Sequence, residues 1–181
     1  ELAFNLCPAE LCPDAQFNPA VQDVDVRQAI AYAIDRERIN VIAARGTSFV
    51  ANGILPSFYK AFYETPEQTY PYDPELANQI LDDAGWTLND DGVRTKDGEE
   101  LSFDLYVRSE SAYNIQAAKL IAEQTREIGV EFNVQVVSTD KLTELMFDHT
   151  NGWAADPQRE TAVEANQIQG RQDRGWFART F

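Results

Sequence analysis

The amino-acid sequence predicts an α/β fold in which a mixed sheet is flanked by helices and carries a β-hairpin. Three observations lead there. Leu101, Phe103, Leu105 and Val107 alternate with Ser102, Asp104, Tyr106 and Arg108. Val130, Phe132, Val134 and Val136 alternate in the same way, and the stretch between holds Ile115, Ala118, Ile121, Ala122 and Thr125 at helical spacing. A period of two marks a half-buried strand, and steps of three and four mark one face of a helix. Strand, helix and strand in that order make a right-handed crossover between parallel strands.

The elements follow from the N-terminus. Residues 2–6 read as a short strand, followed by a cysteine loop and the turn-rich Asn18-Pro19. A helix is expected to start at Asp23 or Asp25, because either carboxylate can cap free backbone N–H groups and complement the helix dipole. Ile30, Ala33 and Ile34 give it an apolar stripe. A second helix is expected over residues 37–45, with Ile39, Ile42 and Ala43 inward and Gly46 as its stop. Residues 47–72 show no period. They hold Phe49, Phe58, Tyr59, Phe62, Tyr63, Tyr70 and Tyr72, read as rings that anchor an irregular loop, with one or two facing a cleft.

Asp73-Pro74-Glu75 opens a sharply punctuated helix: a cap, a proline where no N–H is needed, and an acid at the positive dipole end. Leu76, Ala77, Ile80, Leu81 and Ala84 form its buried face, Gly85 ends it and Trp86 follows. The turn signals Asn89-Asp90-Asp91-Gly92 and Lys96-Asp97-Gly98 flank Val93-Arg94-Thr95, a hairpin or meander. Ser111 caps the crossover helix, expected to run to Ile128 and stop at Gly129. A short helix is expected from Asp140 to Phe147, and then loop with a marginal helix over 160–170.

Composition narrows the function. The chain has 181 residues and a net charge of −15, from 30 acidic against 15 basic residues. That balance argues against nucleic acid, whose phosphates require a basic patch, and against anionic membrane surfaces. A well-solvated acidic surface is the plain reading. With lysine only at positions 60, 96, 119 and 141, a salt-adapted source is a second one. No apolar run is long enough to span a bilayer. The chain opens on Glu1 with no signal peptide, which reads as mature, trimmed or excised from something longer. Cys7 and Cys12 are separated by four residues, not the two of redox and zinc motifs, and no second ligand pair exists. A local disulfide is the expectation and would suit an exported protein; reduced thiols stay open. Closing so short a loop contributes roughly 2 kcal/mol through chain entropy.

Several segments in order resemble the family 5 extracellular solute-binding proteins, the dipeptide- and oligopeptide-binding components of ABC importers. They are Leu2-Ala3-Phe4-Asn5-Leu6, the helix Val26 to Arg36, Tyr72-Asp73-Pro74-Glu75-Leu76-Ala77, Leu81-Asp82-Asp83-Ala84-Gly85-Trp86, and the hairpin with Gly92 and Gly98 leading into Leu101-Ser102-Phe103. The resemblance covers residues 2–147. It implies one lobe of a two-lobed periplasmic-binding-protein-like fold, with residues 1–147 the lobe and 148–181 a poorly defined tail or hinge-proximal segment. It further implies a non-enzymatic binder in the periplasm or outside the cell, anchored through a lipidated N-terminus absent here. Its partners would be a peptide or other small solute, ABC permease subunits and the missing first lobe. No nucleic acid and no cofactor are expected. The family's Gly-Trp followed by an Asp, which lines the cleft near a peptide's amino end, matches Gly152-Trp153-Ala154-Ala155-Asp156. Trp153 and Asp156, with Asn5 in the hinge segment, are therefore the candidate ligand contacts. The alternative for them is a structural loop, because Asp148-His149-Thr150-Asn151 lacks an apolar lead-in strand.

Other chemistry was weighed on its residues. His149 is the one histidine, so a histidine metal site or a serine–histidine–aspartate triad would rest on a single residue. Asp90-Asp91-Gly92 and Asp97-Gly98-Glu99 resemble calcium-loop fragments without the alternating ligands, and turn chemistry explains them. Asp82-Asp83 reads as a solvated face. Arg27 and Arg36 are expected to pair with Asp23, Asp25 or Asp35 rather than with ligand. Two other classes stay open: an acidic protein–protein interaction or sensor module built on the same lobe, and an enzyme using carboxylates in residues 148–181.

Overall fold

The structure, a computed structural model, describes residues 2–4, 6, 19–51, 57–60, 63 and 66–147, with the side chains of Phe58, Met146 and Phe147 left undescribed. In chain order a 3-10 turn (Pro19–Gln22) precedes α1 (Val24–Ala33) and α2 (Arg36–Ala43). A 3-10 turn at Ser57–Tyr59 and α3 (Pro74–Asp83) follow, then three short strands, β1 (Thr87–Leu88), β2 (Arg94–Lys96) and β3 (Glu99–Glu100). The crossover comes last: β4 (Ser102–Arg108), α4 (Ala112–Arg126) and β5 (Glu131–Val137), ending in α5 (Thr139–Phe147).

β4 and β5 pair parallel over their full lengths, Ser102 opposite Glu131 through Arg108 opposite Val137. Parallel and antiparallel pairing are both present, but in two separate sheets. β1, β2 and β3 form an antiparallel meander, and β4 and β5 a parallel pair. The meander is a consequence of its turns. Asn89 Oδ1 accepts from the amides of Asp91 and Val93. Asp97 and Gly98 both sit at positive φ, +55° and +89°, which gives a two-residue turn of the primed type whose twist suits a hairpin.

The caps act where the sequence puts them. Asp23 accepts from the Asp25 amide, which settles the start of α1, and Asp73 accepts from Leu76 N with Pro74 in the first turn. Asp35, Ser111 and their partners Arg38 and Asn114 repeat the device. Each such cap is worth about 1 kcal/mol. The core gathers Val26, Ala29, Ile30 and Ala33 of α1, Ala77 and Leu81 of α3, Trp86, Leu101, Phe103, Ile128, Val130 and Phe132. Fully buried Ala29 and Ala77 let α1 and α3 pack closely.

Several expectations are corrected. The second helix is Arg36–Ala43, not 37–45, because Arg45 and Gly46 turn left-handed (φ +54° and +70°); Ile42 is exposed rather than inward. Leu2, Phe4 and Leu6 pack against the core, but no strand is assigned to their described positions, since no ladder partner pairs with them. Phe49 is 83% exposed, and Tyr59 and Tyr72 also face water; of the described rings between 47 and 72, Tyr70 meets Tyr32 edge-on. α4 ends at Arg126, and its buried set adds Asn114, Leu120 and Gln124, because the helix packs on α2 as well as on the strands. Gln124 is held there by a bond, its Oε1 accepting from Asp35 N at 3.0 Å. Val136 stands half in solvent, so the inward run of β5 fades toward its carboxyl end.

Candidate functional site

The two ends of the β4–β5 pair differ in chemistry. At the amino end Arg94 is buried, with 3% of its surface exposed, and its guanidinium is saturated. Nε donates to Ile128 O at 2.8 Å, Nη1 to Trp86 O and to Asp82 Oδ1 at 2.6 Å, and Nη2 to Asn78 Oδ1 at 2.8 Å and Asn78 O at 3.5 Å. Its backbone joins the meander to the parallel pair, donating to Gly129 O and accepting from Leu101 N. Gly129 must be glycine: φ is +77°, and a Cβ would lie 2.6 Å from Leu88 Cδ2 and 2.7 Å from Arg94 Cγ. This end holds the fold together.

The carboxyl end is open and polar. In open α/β sheets, ligand-facing groups collect beyond the carboxyl ends of parallel strands. Here the backbone closes first: Ser109 N donates to Val137 O at 2.8 Å. Beyond it, Glu110, in the turn after β4, reaches the start of α5. Its Oε1 accepts from Thr139 N at 3.2 Å and its Oε2 from Thr139 Oγ1 at 3.0 Å. These bonds, with one from its own backbone amide, hold the Glu110 carboxyl below its ordinary pKa. Ser138 Oγ accepts from Lys141 N, so two of the four free amides of the α5 first turn are satisfied.

One face of the pair is a polar ladder. Ser102 Oγ donates to Glu131 Oε2, Asn133 Nδ2 to Ser102 Oγ, and Gln135 Nε2 to Asp104 Oδ1. Partial burial, and then Asp104, raise the pKa of Tyr106 on that face. Between α4 and β5 runs an open groove of about 310 Å³, lined by Lys119, Ala122, Glu123, Arg126, Glu131, Phe132 and Asn133. Most of its charges are already paired, Arg126 with Glu131 and Glu123 with Arg38. A carboxylate-rich surface surrounds Arg38 and Tyr72. Glu123, with Glu127 and Asp35 beyond it, raises the Arg38 pKa, and partial burial, then Glu127, Asp35 and Glu75, raises that of Tyr72.

The candidate ligand contacts Asn5, Trp153 and Asp156, the cysteines Cys7 and Cys12, and His149 all lie outside the described residues. Three readings of charged residues are corrected. Arg27 forms no ion pair with Asp23, Asp25 or Asp35; its Nη1 donates to Val21 O and Gln22 O, closing the end of the 3-10 turn. Arg36 donates to Tyr70 O and so pins the loop ahead of α3. Asp82 is not merely solvated, since it pairs with Arg94. The turn reading of Asp90, Asp91 and Gly92 agrees with the bonds to Asn89. Sequence reading missed Glu110, Thr139 and Arg94. Only the position of Glu110 at the carboxyl end of a strand could have drawn attention to it; Arg94 carries no local signal.

The profile of bacterial extracellular solute-binding proteins, family 5 middle, matches residues 2–167. The oligopeptide-binding protein AppA of Bacillus subtilis is 30% identical over 173 residues, which cover 88% of this chain and 32% of that protein. Among solved structures, AppA of Bacillus subtilis in complex with a nonapeptide superimposes with a TM-score of 0.65 at 32% identity, over 70% of this chain and 26% of that one. NikZ of Campylobacter jejuni in complex with Ni(L-His) gives 0.66 at 29% identity, over 96% and 34%. The chain thus spans about a third of the length of AppA. It belongs to the family 5 bacterial extracellular solute-binding proteins.

Proposed function

We propose that this chain is the second lobe of a receptor that captures a peptide or similar small solute outside the cytoplasm and delivers it to an ABC permease. The observation that carries this reading is the similarity to oligopeptide-binding AppA along 88% of the chain. The lobe comprises residues 1–147, with 148–181 a tail or hinge-proximal segment. Solute binds between two lobes and favours their closed arrangement, a two-state element biased by ligand contacts. The action is binding without chemistry. Among the described residues no helix is long and apolar enough to cross a membrane.

Within this reading Trp153 lines a side-chain pocket, and Asp156 meets the amino end of a peptide by a charge-assisted hydrogen bond. Asn5 contributes from the hinge side. The test is to purify the full-length parent natively, release what it holds by denaturation and identify it by mass spectrometry. A peptide or other small solute is expected. In that parent, Asp156→Ala should weaken a peptide with a free amino end at least tenfold, about 1.4 kcal/mol or more. A parent that releases nothing and binds no peptide, dipeptide or metal chelate in calorimetry would overturn the reading.

A further inference from the structure

We infer that Glu110 is a positioning residue: its carboxylate clamps the first turn of α5 to the end of β4, so that α5 and the carboxyl edge of the parallel pair act as one body. The clamp bridges residues 29 apart in sequence, with both carboxylate oxygens engaged, one on the Thr139 amide and one on its hydroxyl. That amide belongs to the first residue of α5, a group the helix itself cannot satisfy. Glu110 therefore acts as a cap supplied from outside the helix, and its negative charge sits at the positive end of the dipole. Ser138 caps the same turn from within the chain, through Lys141 N. What Glu110 adds is a tie between α5 and a different element.

The tie also lies where motion would matter. Ser109 N to Val137 O is the final bond between the strands, and Glu110 and Thr139 each lie two residues past the end of their strand. α5 lies against β4. If the solute-capture reading holds, on which this part of the inference rests, the clamp fixes α5 at the carboxyl edge of the strand pair, where open α/β sheets receive ligands.

Two measurements test it. The first is amide hydrogen exchange on the whole 181-residue chain and its E110A and E110Q forms. Loss of a cap should raise exchange in the first two turns of α5 about fivefold in E110A, while α1, α3 and the body of α4 keep their protection. E110Q retains an acceptor for the Thr139 amide and should recover most of the protection. Unchanged exchange in α5 of E110A, or an equal rise through every helix, would overturn the clamp. The second uses the full-length parent with its own solute. E110A should lower affinity severalfold and E110Q should restore it; affinity unchanged in E110A refutes the positioning role. Should the parent capture no solute in any form, the capture reading fails, and the exchange result alone decides whether the clamp exists.

Discussion

The amino and carboxyl ends of one parallel strand pair are held by opposite means. At the amino end a buried guanidinium places its donors on three carbonyls, a carboxylate and an amide side chain. At the carboxyl end an exposed carboxylate holds one residue of a neighbouring helix. A buried charge with partners is costly to disturb, since removing one member strands the others without water. An exposed one is screened and contributes little to stability. The difference separates what keeps this chain folded from what can be tuned without unfolding it. Strength sits where the meander joins the sheet, and adjustability sits where α/β folds receive ligands.

The contrast can be broken most severely at Arg94. Arg94→Met leaves Asn78 and the carbonyls of Ile128 and Trp86 without their donor, and should cost about 3 kcal/mol in urea unfolding. A cost under about 1 kcal/mol would mean that water or repacking replaces the guanidinium. Gly129→Ala comes next. It forces a positive φ on alanine and drives a Cβ into Leu88 and Arg94, for about 2 kcal/mol by the same measurement. Stability retained in that variant would show that both side chains can yield. Asp73→Ala removes the N-cap of α3, the helix whose Asn78 and Asp82 hold Arg94, and should cost about 1 kcal/mol. Its loss should be the same with or without Arg94→Met if the sites are independent, which a double-mutant cycle reads directly.

The smallest effect is sought at the carboxyl end and sharpens the comparison by its pH dependence. The Glu110 carboxyl is held below its ordinary value of 4.5 by amides of its own residue and of Thr139. A depressed carboxylate contributes stability that is present above the unfolded value and lost as pH falls through the folded one. Protection of the α5 amides should therefore be full at neutral pH and fall away below 4.5, with no matching step in E110Q. A wild-type profile identical to that of E110Q would remove Glu110 from the account.

Much of this contrast was hidden in the sequence, though the frame was not. The crossover was legible because alternation in Leu101 to Val107 and Val130 to Val136 is a local signal, as were the caps Asp73 and Ser111 and the turns at Asn89 and Asp97. Arg94 was not, because its partners come from α3, Trp86 and the residue before Gly129, and burial of a charge follows from packing of all three. Glu110 and Thr139 were hidden for the same reason: 29 residues separate them, and only the parallel register brings them together. Among the described rings of residues 47–72 the anchor reading fails for Phe49, Tyr59 and Tyr72, which face water, and holds for Tyr70, which packs edge-on against Tyr32. Family resemblance supplied what periodicity could not. It named Trp153, Asp156 and Asn5, which lie outside the described residues and stand as proposals.

The central claim is that this chain is half of a cleft. The most direct test is calorimetry of the isolated chain beside the full-length parent, each titrated with the solute identified from the parent. The parent should bind it tightly, and the isolated lobe no more strongly than about millimolar, near −4 kcal/mol. Micromolar binding by the 181-residue chain alone would contradict the claim and place a complete site within this lobe.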